Sequence, residues 1–260
     1  MIVRTEDGRG RPSSALLRSL PANRDCPVRD GDGRTVYCVP SAGTGARTFL
    51  ASHAFSPLRN HLRVVQLPGR EDRAAESCLE DVHVMAGLIA DAVVADACED
   101  YALFGHSFGA LVMLEVARIL VRAGAPAPAV VALAACAPPH LSAFARFDEM
   151  TPTQIVEALA DLGGLDLHGE RGERLLPLVL PALAADSRAS ARYARTAERA
   201  AISSPVLAMC GSHDVAVTTH QAAGWGDYTD AGLVVTEYPG GHFFPLESDL
   251  PLRAVVEWQR

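Results

Sequence analysis

Short apolar runs alternate with amphipathic segments over most of this chain. Thr35–Val39, Arg63–Gln66, Tyr101–Phe104, Val130–Ala134, Val206–Cys210 and Leu233–Tyr238 have the length and apolar character of buried strands. Helical spacing of apolar positions fills most of the gaps, notably at Leu79–Ala97, Ala110–Ala123 and Pro251–Gln259. Strands alternating with amphipathic helices predict a mostly parallel sheet covered by helices on both faces, an α/β fold.

Two regions depart from this rhythm. Residues 143–203 hold no convincing strand but show helical patterns at Thr151–Leu162, Arg171–Leu180 and Pro181–Ala201. Thr151-Pro152 reads as a cap with proline just inside the helix. An all-helical insertion between two sheet strands is where a lid over an active site would sit; the alternative is a longer crossover helix pair that only packs. Residues 1–33 are rich in Arg, Gly, Asp, Ser and Pro and read as a flexible extension before a single domain at 34–260. Within the extension a short helix is expected at Ser14–Leu20. Cys26–Arg29 could pair back onto the following strand through the turn Asp30-Gly-Asp-Gly33.

Composition narrows the function. At 260 residues the chain can bury one sizeable core. Its net charge of -8 argues against nucleic acid or an anionic membrane as the main partner. All 23 basic residues are arginine, which removes lysine Schiff bases, a P-loop lysine and a Ser–Lys dyad. The six cysteines form no C-x-x-C pair, and Cys38, Cys136 and Cys210 sit in apolar runs where a buried thiol is ordinary. Arg4, Arg9 and Arg11 are followed by no apolar run, unlike a secretory signal, and no stretch is long enough to span a bilayer. A cytoplasmic protein with no metal or cofactor is expected.

The chemistry concentrates where a strand runs into Gly105-His-Ser-Phe-Gly109 and then a helix. Serine flanked two residues away on each side by glycine is the pattern of a nucleophile elbow, in which a strained turn presents the hydroxyl beside the helix N-terminus. Such a serine needs a base and an acid, in the chain order Ser, Asp or Glu, His. His242 follows the last strand in Gly240-Gly-His242, and Asp214 follows the preceding strand in Gly211-Ser-His-Asp214. Both loops leave the carboxyl-end face of the sheet that presents Ser107. Asp227 and Asp230 are rival acids in a turn-rich stretch. His106 reads as a packing or locally bonded residue, and His140 as part of the rim. His53, His61, His83, His168, His213 and His220 read as surface or satisfied polar residues. The oxyanion donors expected are the N–H groups of Phe108, directly after the nucleophile, and of Ala42 in the small-residue loop Pro40–Gly45.

Further segments carry a family resemblance. Pro40-Ser-Ala-Gly43, Gln66-Leu-Pro-Gly-Arg-Glu-Asp-Arg73, Gly105–Ala110, Ala137-Pro-Pro-His140 and Gly240-Gly-His-Phe-Phe244 are similar to the discrete type II thioesterases that accompany polyketide and non-ribosomal peptide synthases. The resemblance runs from about Val36 to Trp258. It implies the α/β-hydrolase fold with a helical lid, a Ser107–Asp214–His242 set, and oxyanion N–H groups at Ala42 and Phe108. It also implies an acyl thioester on the phosphopantetheine arm of a carrier protein as substrate, with transient docking by a monomer. The lid stretch Leu183–Tyr193 keeps an Asp and a Tyr but is otherwise alanine-rich. Arg188, Arg192, Arg195 and Arg199 form either a basic face for an acidic carrier or a solvated, salt-bridged face. The readings that compete with unloading are a product-releasing or cyclising thioesterase, an oxygen-ester hydrolase, and a non-catalytic binding module.

Overall fold

The computed structural model describes residues 16–18, 34–96, 98–142, 146–163 and 169–259. Among the described residues seven strands form one sheet in the order β1-β3-β2-β4-β5-β6-β7: β1 (Leu17–Arg18), β2 (Thr35–Val39), β3 (Leu62–Val65), β4 (Tyr101–His106), β5 (Val131–Ala134), β6 (Val206–Gly211) and β7 (Leu233–Tyr238). All neighbours are parallel except β1, which pairs antiparallel with β3. The six expected strands are present within two residues at each end. The helix expected over Ser14–Leu20 is corrected by the pairing of Leu17 with Val65 and Arg18 with Val64. The open edge of β3 offers ladder bonds that a two-residue segment takes, overriding local helical pattern. The Cys26–Arg29 hairpin lies outside the described residues.

Strand side chains alternate between two cores. Tyr37, Val39, Leu103, Val131 and Leu133 face one side, where α2 (after α1, Ala46–Leu50; α2 is Val82–Asp96) and α3 (Phe108–Arg122) cover them. Val36, Cys38, Ala102, Phe104 and Ala132 face the other, against α1 and the C-terminal helix. Twelve of the fifteen residues of α3 are buried, so this helix is pinned on nearly all sides. At about 25 cal/mol per Å² of apolar surface buried, such a helix is among the strongest anchors a domain has.

The insertion contains α4 (Pro152–Asp161) and α5 (Gly169–Thr196); short α6 (Thr219–Ala222) and α7 (Leu250–Val256) follow later in the chain. Thr151 caps α4 as expected, its hydroxyl accepting from Gln154 N–H while the Gln154 side chain returns the bond. The two helices expected at Arg171–Leu180 and Pro181–Ala201 are instead one helix of 28 residues. Pro177 and Pro181 lie inside it; proline's fixed φ is helical, so each removes a backbone bond without ending the helix. Phe147, Ile155 and Leu183 form a small third core within the insertion. Among the described residues no helix is long and apolar enough to cross a membrane.

The chain adds β3 on one side of β2 and β4 on the other, so the strand order reverses between β2 and β4. The loops leaving the carboxyl ends of these two strands part there and open a crevice. Those loops carry Ala42 and Ser107.

Candidate active site

The elbow is built by two close approaches. Ser107 has φ 55° and ψ -117°, a left-handed conformation that costs a non-glycine residue on the order of 1–3 kcal/mol. Hydrogen bonds offset part of this: Ser107 N–H donates to Ala134 O at 2.8 Å and Ala110 N–H to Ser107 O at 2.9 Å. A Cβ on Gly105 would stand 2.3 Å from Gly109 O, and one on Gly109 would stand 2.1 Å from Val39 O. Both obstacles are backbone and cannot swing away. Glycine at these two positions is therefore what lets β4, α3 and β2 meet behind the serine.

Ser107 Oγ lies 2.9 Å from His242 Nε2, and His242 Nδ1 lies 3.0 and 3.1 Å from the two carboxylate oxygens of Asp214. The three residues are contributed by the ends of β4, β7 and β6, which lie along one edge of the sheet. The Asp214 side chain is fully buried and that of His242 is 6% exposed. Burial alone would raise the Asp214 carboxyl, but the His242 N–H and the backbone N–H groups of Ala216 and Val217 outweigh it and hold it below the ordinary range. An ionised Asp214 accepts from Nδ1–H, which leaves Nε2 free to accept the serine proton.

His106 is buried, with its Nε2 2.9 Å from the carbonyl oxygen of His242. A carbonyl only accepts, so Nε2 carries the hydrogen. Burial, with the nearby His242 adding to it, pushes the His106 ring down to about 3, so it is neutral at physiological pH. Sequence reading placed this residue among local packers; its partner is in fact 136 positions away. The signal available was a histidine in the elbow and another in a glycine-rich loop, with nothing to pair them.

A cavity of about 240 Å³ opens over Ser107. Ala42, Phe108 and His242 line it on the sheet side, Leu141 borders it just before the insertion, and Phe147 and Ser187 close it from the insertion. Phe108 is the first residue of α3, where unsatisfied N–H groups and the helix dipole favour negative charge. A wider groove of about 420 Å³ between Arg18, α1 and Glu71 holds none of these residues.

The remaining candidates are placed elsewhere. His140 stacks on Tyr228 at 5.7 Å and lies 3.7 Å from Asp227. Asp227 is thereby engaged away from His242, and Asp230 N–H bonds Ile202 O. His53, His83, His213 and His220 are exposed, and His168 lies outside the described residues. Of the insertion's arginines, Arg188 bonds Glu80 at 2.6 Å, Arg192 donates to Glu80 O at 3.0 Å, and Arg199 lies 3.9 Å from Asp227. Their charge is largely spent within the chain, which favours the salt-bridged face.

Comparison with known proteins gives the family. The family model described as a thioesterase domain matches residues 34–258. Thioesterase PikA5 of Streptomyces venezuelae is 33% identical over 216 residues, covering 80% of this chain and 74% of that protein. The structure of RedJ, the thioesterase from the prodiginine biosynthetic pathway in Streptomyces coelicolor, superposes with a TM-score of 0.77 at 30% identity, over 97% of this chain and 96% of that one. YbtT, a type II thioesterase from the yersiniabactin pathway, superposes with a TM-score of 0.73 at 27% identity, over 85% and 90%. The chain belongs to the thioesterase family, with the α/β-hydrolase fold, and is a serine hydrolase acting on thioesters.

Proposed function

We propose that the protein unloads acyl groups from the phosphopantetheine arms of carrier proteins of a polyketide or non-ribosomal peptide synthase. Ser107 is the nucleophile, His242 the general base and acid, and Asp214 the group that orients the imidazole. The observation that carries the mechanism is the unbroken run Ser107 Oγ, His242 Nε2, His242 Nδ1, Asp214, with contacts of 2.9 to 3.1 Å opening into the cavity over Ser107. The names of the related proteins support the pathway assignment.

Ser107 attacks the thioester carbonyl as His242 takes its proton. The oxyanion that forms receives the N–H groups of Ala42 and Phe108, donors preorganised for the charge that develops. Collapse expels a thiol whose pKa is about 8.5, so protonating it demands less than protonating an alkoxide or amine. Water then enters, gives its proton to His242 and releases the acid, restoring Ser107. Every step is assigned to protein groups and water, with no metal or cofactor. Residues 143–203 act as the lid, and a monomer in the cytoplasm meets its carrier transiently.

The discriminating experiment compares matched acyl-pantetheine thioesters and oxygen esters with wild-type protein and Ser107→Ala. Faster thioester turnover that disappears in the variant is expected. Preference for the oxygen ester, or a lactone product from a long hydroxyacyl thioester, would favour the competing readings.

A further inference from the structure

The segment Gln66–Arg73 takes no part in the triad, yet its side chains converge on the loop that carries Ala42. Gln66 Oε1 accepts from Ala46 N–H at 2.6 Å, and both Glu71 carboxylate oxygens lie 3.1 Å from Arg47 N–H. These side chains satisfy the first N–H groups of α1, whose own cap residue, Gly45, has no side chain to offer. A Cβ at Gly45 would stand 2.5 Å from Glu71 Cδ, so the absence of one is what admits the cap.

The same loop is held from the opposite side by the insertion. Asp186 of α5 has a fully buried carboxylate that receives Arg70 bidentately, at 2.8 and 3.0 Å, and Gly43 N–H at 2.8 Å. Arg70 also donates to Thr44 O at 3.2 Å. Gly43 has φ 72°, and a Cβ on it would come within 2.9 Å of Leu183 Cβ, one turn before Asp186. Ala42 itself packs against the Phe147, Ile155 and Leu183 core. The Ala42–Gly43 peptide is thus held by Asp186 of α5, and the Thr44 carbonyl two peptides on is held by Arg70.

A buried ion pair is a weak source of stability, because desolvating both charges offsets most of their attraction. What three short bonds to one carboxylate do supply is a fixed backbone geometry next to Ser107.

We propose that Asp186 is a positioning residue for catalysis: through Gly43 N–H and Arg70 it sets the direction of the Ala42 N–H in the oxyanion hole. The lid helix is then part of the apparatus that stabilises the transition state. This rests on the reading above in which Ala42 supplies an oxyanion donor.

The test compares wild-type protein, Asp186→Asn, Arg70→Lys and the double variant Arg70→Gln/Asp186→Asn. Each is assayed on propionyl-N-acetylcysteamine thioester, titrated with propylboronic acid as a tetrahedral adduct of Ser107, and melted. Asp186→Asn alone leaves Arg70 buried without its counter-charge and is the variant most prone to misfold. The double variant carries no unpaired charge, and Arg70→Lys keeps the charge while losing the bidentate geometry. The folded variants should keep KM within about twofold and lose about 10- to 100-fold in kcat, part of the 10²–10³ that removing an oxyanion donor costs. Propylboronate affinity should fall by the same factor. Unchanged kcat and boronate affinity with a lowered melting temperature, the result of a purely structural pair, would overturn the proposal. A wild-type protein inactive on the thioester would instead sink the functional reading beneath it.

Discussion

His106 donates a hydrogen bond of 2.9 Å to the main-chain carbonyl of His242, so the residue before Ser107 holds the loop that carries the proposed base. Its Nδ1 is buried with no partner among the described residues, and the two rings stand 5.6 Å apart. Its low titration point follows from that enclosure. His106 is thus a neutral strut beside the imidazole that the proposed mechanism has gaining and losing a proton each cycle.

His106→Phe removes the strut and should lower kcat about tenfold while costing about 1–3 kcal/mol for the abandoned carbonyl. The stability effect also depends on pH. In the folded protein the ring stays neutral down to about pH 3, whereas unfolded it is protonated below about pH 6.5. Between these limits the unfolded state binds the extra proton, so His106 loses stability for the fold as pH falls. The stability gap between wild type and His106→Phe should therefore narrow from pH 7 to pH 4, by at most about 1.4 kcal/mol per unit. Denaturant titrations at each pH measure it, and a constant gap would show that the ring is not buried neutral.

Gly109→Ala places a methyl group 2.1 Å from Val39 O, against main chain on the adjacent strand. It should destabilise the protein by about 2–4 kcal/mol, read as a lower denaturant midpoint. Activity should fall in step, because β4 and α3 can no longer close behind Ser107. A fully stable and active Gly109→Ala would mean the elbow is looser than this geometry.

Much of this site is legible in the chain because its parts obey local rules. Ser107, Asp214 and His242 each sit one short loop beyond an apolar strand, and a parallel sheet brings all such loops to one edge. The α4 cap is legible from Thr151, Pro152 and Gln154 alone. What escaped were pairings across long separations. Arg70 and Asp186 are 116 positions apart and His106 and His242 are 136 apart, and neither pair has a spacing that points to the other. Helix α5 reads from its sequence as two helices meeting at Pro181, yet its C-terminal half is held by tertiary contacts that local pattern does not contain.

One of those contacts is Tyr193 on α5, whose hydroxyl donates to the buried Glu115 of α3 at 2.7 Å. Glu115 keeps Arg118 as a second partner when this bond is lost. Tyr193→Phe should cost about 2 kcal/mol, the worth of a bond to a charged acceptor, while kcat stays within about threefold. Differential scanning calorimetry with parallel steady-state assays separates the two effects. A large loss of kcat at unchanged stability would place Tyr193 in the chemistry instead.

Asp214→Asn keeps the shape of the site but offers the Nδ1 side an amide, allowing the tautomer that points a hydrogen at Ser107. It should lower kcat by roughly 10³–10⁴-fold with little change in folding. A loss of less than tenfold would hand the role of orienting acid to another carboxylate.

The central claim is that Ser107 carries the acyl group away from a carrier-bound thioester. Intact-protein mass spectrometry of an acyl-loaded carrier protein, mixed with wild type or Ser107→Ala, tests it most directly. The account predicts that wild type strips the acyl mass from the carrier, with a transient adduct of that mass on the enzyme, and that Ser107→Ala leaves the carrier loaded. A carrier that stays loaded with wild type, or is stripped equally fast by Ser107→Ala, would contradict it.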